Sequence, residues 1–293
     1  MPRGYTTRKL EAFNISAYFE TSRNQRPDYL GIFQAISSVP REDRIAVIGT
    51  KTIAIPRFNV AGNIVSFVAY EGEEGSPLVF NFEDGTERIE RLERGEKLAT
   101  KTHGIIDAAQ RIGIIEYNQK GAKAADIAFA IEHFARVHAD MSRLHLDFSQ
   151  IIDEQFVLSI DRFKRIRTAT VKIARPNPGW GDHRAHFDAM AKESDAHYLE
   201  LGASAERNES LARNRGIVGF IKDVASAALS SLKSAKVTGV REGEDAETSI
   251  STAHHVEHQR VPVRMTEDGH VDDADISRKL DSFLRSKTER DRK

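Results

Sequence analysis

The sequence predicts an α+β protein with mixed, mainly antiparallel sheets, packed amphipathic helices and a C-terminal helix. Three observations lead there. Apolar residues at alternate positions, as in Phe13, Ile15, Ala17 and Phe19, mark half-buried strands. Apolar residues at helical spacing, as in Ile127, Ile131 and Phe134, mark amphipathic helices. The two kinds mix without the regular strand–helix alternation of a doubly wound sheet. The 293 residues, 40% hydrophobic and 30% charged, can build a self-sufficient core and exclude collagen-like and wholly disordered chains.

The elements follow in order. Leu10 to Phe19 alternates as a strand, and Arg23 to Pro27 breaks it. Pro27 suits a first helical turn, and Tyr29, Leu30, Phe33 and Ile36 keep helical spacing up to Pro40. Arg44 to Ile55, Ile64 to Tyr70 and Leu78 to Phe82 read as strands bounded by Pro56, Gly62, Gly72 and the turn Glu83-Asp84-Gly85. Arg88 to Lys97 carries both charge signs and reads as a solvated loop or face. His103 to Tyr117 reads mainly as strand. Lys123 to His138 is a helix whose stripe ends on His138, and Met141 to Phe148 alternates again. Asp153 to Phe163 is a short helix and Arg165 to Ala174 a strand stopped by Pro176 and Pro178. His183 to Ser194 reads as helix; Tyr198 to Ala205 fits a strand or a helix continuation. Gly216 to Leu232 is a further amphipathic helix, and Lys236 to Val240 and Ser249 to Val263 are polar strands. Ala274 to Lys287 closes the chain as a helix with Ile276, Leu280, Phe283 and Leu284 on one face, and its last seven residues are expected to fray. The expected organisation is an N-terminal α+β lobe over 1–160, a second α+β lobe over 161–270 holding a basic strand and an amphipathic helix, and a C-terminal helix with a frayed basic tail over 271–293.

Composition narrows the chemistry by exclusion. Without cysteine there is no disulfide framework, cysteine nucleophile or iron–sulfur cluster, which suits a reducing cytoplasm, the expected location. The N-terminus lacks the apolar core of a signal peptide, and no apolar run is long enough to span a membrane. No phosphate-binding glycine loop, dinucleotide fingerprint or nucleophile elbow occurs, so no cofactor and no catalytic residue is assigned. Net charge is −1 and divides evenly: residues 1–150 carry 19 basic and 20 acidic groups, residues 151–293 carry 24 of each. A polyanion site must therefore come from local clustering.

One such cluster stands out. Arg162, Lys164, Arg165, Arg167, Lys172 and Arg175 form a run without a single acid. Arg and Lys that neutralise phosphates supply sequence-independent affinity for nucleic acid; a charged sheet edge protected from aggregation is the structural alternative. Strict alternation would put Arg167 and Arg175 on one face of the strand and Lys172 on the other. Arg213 and Arg215, with Asn208 and Asn214, precede the helix at Gly216, where backbone amides favour anions and an ordinary polar loop is equally in keeping. Histidine offers a second chemistry. His138-x-Asp140, His145-x-Asp147 and Asp182-His183-x-x-His186 could orient imidazole against carboxylate or a metal, although the last fits a capped helix start as well, and His254, His255 and His258 fall on a polar stretch. No metal ligands are assigned from these.

The run Ile166-Arg167, Ile173 and Arg175-Pro176-Asn177-Pro178 resembles the R-P-N-P element of a bacterial family labelled domain of unknown function 4747. The strand at Ala12 to Ile15, the helix at Tyr29 to Ile36 and the strand at Ile64 to Tyr70 fall in the same order, so the similarity spans about residues 10–215. More distantly, the order of elements is similar to the RexA type of phage exclusion protein, a DNA-binding partner of a membrane protein. The resemblance implies an accessory or defence-associated bacterial protein, expected to bind duplex DNA and to form a homodimer, with a partner protein from the same operon. The leading expectation is a non-catalytic DNA-binding accessory or sensor protein of an anti-phage or mobile-element system using Arg162, Lys164, Arg165, Arg167, Lys172, Arg175, Arg213 and Arg215. The alternatives are a metal-dependent nuclease or phosphodiesterase, and a pure protein-interaction module.

Overall fold

A computed structural model describes residues 4–20, 27–75, 78–80, 87–93, 95–174, 194, 196, 198–226, 232–244 and 246–290. It is α+β, with antiparallel sheets and a C-terminal helix. The strands are β1 (Tyr5–Phe19), β2 (Ile45–Ile48), β3 (Lys51–Ala61), β4 (Ile64–Glu73), β5 (Leu78–Phe80), β6 (Glu87–Ile89), β7 (Leu98–Asp107), β8 (Ile112–Tyr117), β9 (Leu144–Gln150), β10 (Phe163–Ala174), β11 (Tyr198–Ser204), β12 (Leu232–Arg241), β13 (Glu247–Ser251) and β14 (His258–Arg264). The helices are α1 (Tyr29–Ser38), α2 (Ala124–His138), α3 (Glu154–Asp161), α4 (Gly216–Ser226) and α5 (Asp273–Arg290). The chain divides into two compact units, one of residues 1–10, 28–147 and 260–293, the other of residues 11–27 and 148–259. This differs from lobes cut at 160 and 270: the first unit is built from three stretches of chain, and the C-terminal helix belongs to it.

The first unit holds most of the larger sheet, ordered β14-β1-β8-β7-β4-β3-β2, with β9 paired to β1 off this path. Helices α1 and α2 pack against β2 and β3. Phe33 of α1 meets Phe58 of β3 with ring centroids 6.3 Å apart, and Phe58 stacks on Phe67 of β4 at 6.2 Å. Gly104 of β7 lies under that ring; a Cβ there would stand 2.1 Å from Phe67 Cζ, so only glycine lets the sheet accept the phenylalanine. Asp28 caps α1, its side chain accepting from the Gly31 amide at 3.0 Å. Along α2, Ile127, Ile131 and Phe134 are buried as their spacing predicts, but His138, the last helical residue, is exposed. Helix α5 packs on β7 and β8, and Ile276, Leu280, Phe283 and Leu284 are all buried within the chain. The helix stays regular to Arg290, where fraying was expected from Lys287; residues 291–293 lie outside the described residues.

The second unit contains a four-stranded antiparallel sheet ordered β11-β10-β12-β13. One face packs against α3 and α4. Its core joins Phe156 and Ile160 of α3, Val218, Ile221 and Val224 of α4, and Phe163, Ile166, Ala169, Val171 and Ile173 of β10 to Val237 and Ile250. Tyr198–Ser204 is a strand, which decides between the two readings of that stretch. The amphipathic helix at Gly216 ends by Ser226, and Leu232 opens β12 instead of closing the helix. The polar stretch from Ser249 is broken by a 3₁₀ turn at Thr252–His254, so His254 and His258 do not share one continuous strand. The expected helix at His183 to Ser194 lies, apart from Ser194, outside the described residues.

Phe283 is 5% exposed inside the α5 stripe. Phe283→Ala is expected to cost about 3–5 kcal/mol of unfolding free energy, read from urea or thermal melts. An unchanged midpoint would mean that α5 contributes nothing to the core.

Candidate nucleic-acid interface

The basic run becomes β10, the central strand that pairs with both β11 and β12. Its register shifts between Phe163 and Arg165 and again between Ile166 and Thr168. The residues skipped by the ladder are Lys164 and Arg167, so two of the predicted cations stand at β-bulges, which re-aim side chains. Gly239 of β12 lies opposite; a Cβ there would fall 2.2 Å from the Arg165 carbonyl oxygen, so a glycine is required beside the irregular stretch. The bulges also overturn the strict alternation expected from the sequence. Phe163, Ile166, Ala169, Val171 and Ile173 all face the core, and the parity changes twice before Ala169.

The register then composes the opposite face. Paired residues of an antiparallel sheet point the same way. Ser204, Thr168, Thr238 and Ser249 form one row across the four strands, Gly202, Thr170, Lys236 and Ser251 the next, and Glu200, Lys172 and Ser234 a third. Arg165, Val240 and Glu247 make a further row on the other side of the first. The hydroxyls of Thr238 and Ser249 hydrogen-bond at 2.7 Å. Tyr198 opens β11 on this face, 52% exposed, with Lys172 Nζ 3.6 Å from its ring centroid.

The predicted cations fall into distinct roles. Arg162, Lys164, Arg213 and Arg215 are exposed, and Arg213 Nη2 donates to the Lys164 carbonyl at 3.4 Å, which brings the loop before α4 beside the start of β10. Two more bonds hold that loop: the Leu211 amide donates to the Ile166 carbonyl at 2.9 Å, and the Ile166 amide donates to Ser210 Oγ at 3.0 Å. Gly219 keeps α4 close, since a Cβ there would lie 2.8 Å from the Asn214 carbonyl carbon. Lys222 ties Asn214 to Asp161, donating at 2.8 Å to each. Arg167 is occupied within the fold: it donates to the Glu206 carbonyl at 2.5 Å and pairs with Glu247 at 3.4 Å. Arg165 and Lys172 are half-buried, and Arg175 lies outside the described residues. Lys236, which the sequence reading passed over, joins the set because its register partner is Thr170.

Among the described residues the histidines do not converge. His138 is exposed, Asp140 takes a left-handed backbone at φ 54°, and His145 Nδ1 lies 3.7 Å from Glu132. His255 packs beside Phe156, ring centroids 5.6 Å apart, and burial holds its pKa below the ordinary value. His258 hydrogen-bonds the Val256 carbonyl at 2.8 Å. His183 and His186 lie outside the described residues. Among the described residues no three His, Asp or Glu side chains gather as a metal site, and no helix is long and apolar enough to cross a membrane.

A polar cluster that the sequence did not announce lies in the first unit. His103 of β7 is buried, with Nδ1 2.7 Å from Glu116 of β8 and Nε2 3.0 Å from Asp273 at the start of α5. Arg8 Nε approaches Glu116 at 3.3 Å. Asp273 also receives Arg57 Nη1 at 2.7 Å and Lys101 Nζ at 3.4 Å, and Arg57 donates to the Tyr70 hydroxyl at 2.9 Å. Burial opposes ionisation of Asp273, but the hydrogen bonds from Arg57 and His103 outweigh it and hold the carboxyl at about 2. The depressed value means that the folded state prefers the ionised form. Its stabilisation is therefore complete above the unfolded pKa near 4 and is lost as pH falls through about 2. Asp273→Asn is expected to lower the unfolding midpoint at neutral pH, with the difference from the parent shrinking as pH drops through that window. Equal midpoints at neutral pH would mean that the clamp carries no stability.

No model of a known protein family matches the chain, and no curated protein matches it.

Proposed function

We propose that this chain is a non-catalytic nucleic-acid-binding protein, an accessory or sensor component of a bacterial anti-phage or mobile-element system. The observation that carries the binding part is the placement of cations around β10. Arg162, Lys164, Arg213 and Arg215 stand exposed at one end of the strand, and Arg165, Lys172 and Lys236 share a sheet face with rows of serine and threonine and with Glu200 and Glu247. Phosphate oxygens accept hydrogen bonds from such hydroxyls as well as from Arg and Lys, and contacts of this kind position a protein without reading sequence. Sheets bind nucleic acid in several known modes. The defence-system context, the expectation of duplex DNA, the second copy of the chain and the partner protein rest on the family resemblance.

The test is a binding titration across a salt series, run on a duplex and on a single strand. Binding should weaken with salt on at least one of the two. Lys164→Ala combined with Arg213→Ala is expected to lower the slope of log affinity against log salt by about 1.8 on duplex DNA, or about 1.4 on a single strand, if both contact phosphate. An unchanged slope would remove this end of β10 from the interface. Absence of salt-sensitive binding to either probe would sink the reading itself.

A further inference from the structure

We propose that the outer face of the β11-β10-β12-β13 sheet takes an unpaired nucleotide chain, with Tyr198 stacking on a base and Lys172 and Lys236 meeting its phosphates; this rests on the nucleic-acid reading above. The argument begins with charge. Lys172 and Lys236 share the face with Glu200, which is the register partner of Lys172, and of the two arginines near them Arg167 is tied to Glu247. A duplex presents one phosphate charge per about 1.7 Å, and a site living on phosphate contacts alone needs more free cations than this face offers. Affinity here must include a term that does not come from charge.

Tyr198 supplies one. Its ring is 52% exposed at the start of the edge strand β11, on the same sheet face as Lys172 and Glu200. Lys172 Nζ lies 3.6 Å from the ring centroid, so the cation takes one face of the ring and steadies it, and the other face is left for a base. Bases of a duplex are already stacked on each other and present only their edges. Unpaired bases can splay onto an aromatic ring, which is how sheet-surface modules hold single strands. The hydroxyl row of Ser204, Thr168, Thr238 and Ser249 completes the surface with short donors and acceptors suited to sugar and phosphate oxygens. This row and the neighbouring row of Gly202, Thr170, Lys236 and Ser251 hold no apolar side chain, so an extended chain can lie across the strands there.

The same surface chemistry serves DNA and RNA, so the probes are an oligothymidylate, an oligouridylate and a mixed-sequence duplex. Each is longer than the site sizes of about 4–16 nucleotides found for comparable surfaces. Fluorescence anisotropy should show at least one single strand binding more tightly than the duplex. Tyr198→Ala should weaken single-strand binding by about tenfold at every salt concentration without changing the salt slope, and Tyr198→Phe should restore it. Lys172→Ala with Lys236→Ala should instead reduce the slope by about 1.4. Circular dichroism on each variant separates loss of binding from loss of fold. Duplex bound as tightly as both single strands, or single-strand binding untouched in a folded Tyr198→Ala, overturns this inference while leaving nucleic-acid binding in place. No binding of any probe by the parent protein overturns both.

Discussion

The second unit depends on the pairing of β10 with its two neighbours. One register places Ala169, Val171 and Ile173 against α3 and α4, and the same register turns Thr168, Thr170 and Lys172 the other way. A slip of one residue would exchange the two sets and bury a lysine among aliphatic side chains, which is why burial of one face specifies pairing so strongly. The register shifts, at Lys164, at Arg167 and between Lys172 and Ile173, are the exceptions within this order. The first two let Lys164 and Arg167 leave the ladder without moving the core rows, and Gly239 makes room for the backbone beside them. Cations are thereby accommodated in a central strand that would otherwise have to be apolar on one side.

The first unit relies on a different principle. Its C-terminal helix is held by an apolar stripe and by a carboxylate bound to groups from distant strands. Asp273 meets Arg57, Lys101 and His103, and His103 passes the contact on to Glu116 and Arg8. The two ring nitrogens of His103 face one carboxylate each, so the imidazole links the two acids. The apolar stripe is buried along the helix, and the charged contacts gather at its first residue, Asp273. Removing one member would leave the others partly buried and short of a partner, which costs more than the pair contributes.

Much of this was legible in the sequence wherever structure follows from local periodicity. The alternation of β1 from Phe13 to Ala17, the stripe of α2 through Phe134 and the stripe of α5 through Leu284 appear as their spacing predicts, whereas Leu10 to Phe13 are all buried and Phe19 is half-buried. Local reading failed where the determinant is not local. The bulges at Lys164 and Arg167 answer to β12, more than sixty residues on, so alternation misplaced those side chains. Leu232 continues a helical stripe in sequence, yet it pairs with Ile173 as a strand residue. The His103–Asp273 contact joins residues 170 positions apart, and nothing near either one signals it. For the candidate interface, the acid-free run coincides with β10, apart from Arg162 just before it and Arg175 beyond the described residues. The hydroxyl rows, Lys236 and the exposed ring of Tyr198 emerge only when four strands are laid side by side.

The composition of the first unit also bears on how the protein is made. Its sheet begins with the opening residues of the chain, but its last helix and most of β14 come from residues 260–293. The Arg57–Asp273 contact spans 216 positions, and closures of that range come late in folding. A nascent chain leaving the ribosome would therefore carry β7 and β8 with one side uncovered until Asp273–Arg290 has been made, a condition that invites aggregation and chaperone capture. A premature stop or frameshift ahead of Asp273 would leave β7 and β8, strands made more than 150 residues earlier, without the helix that covers them.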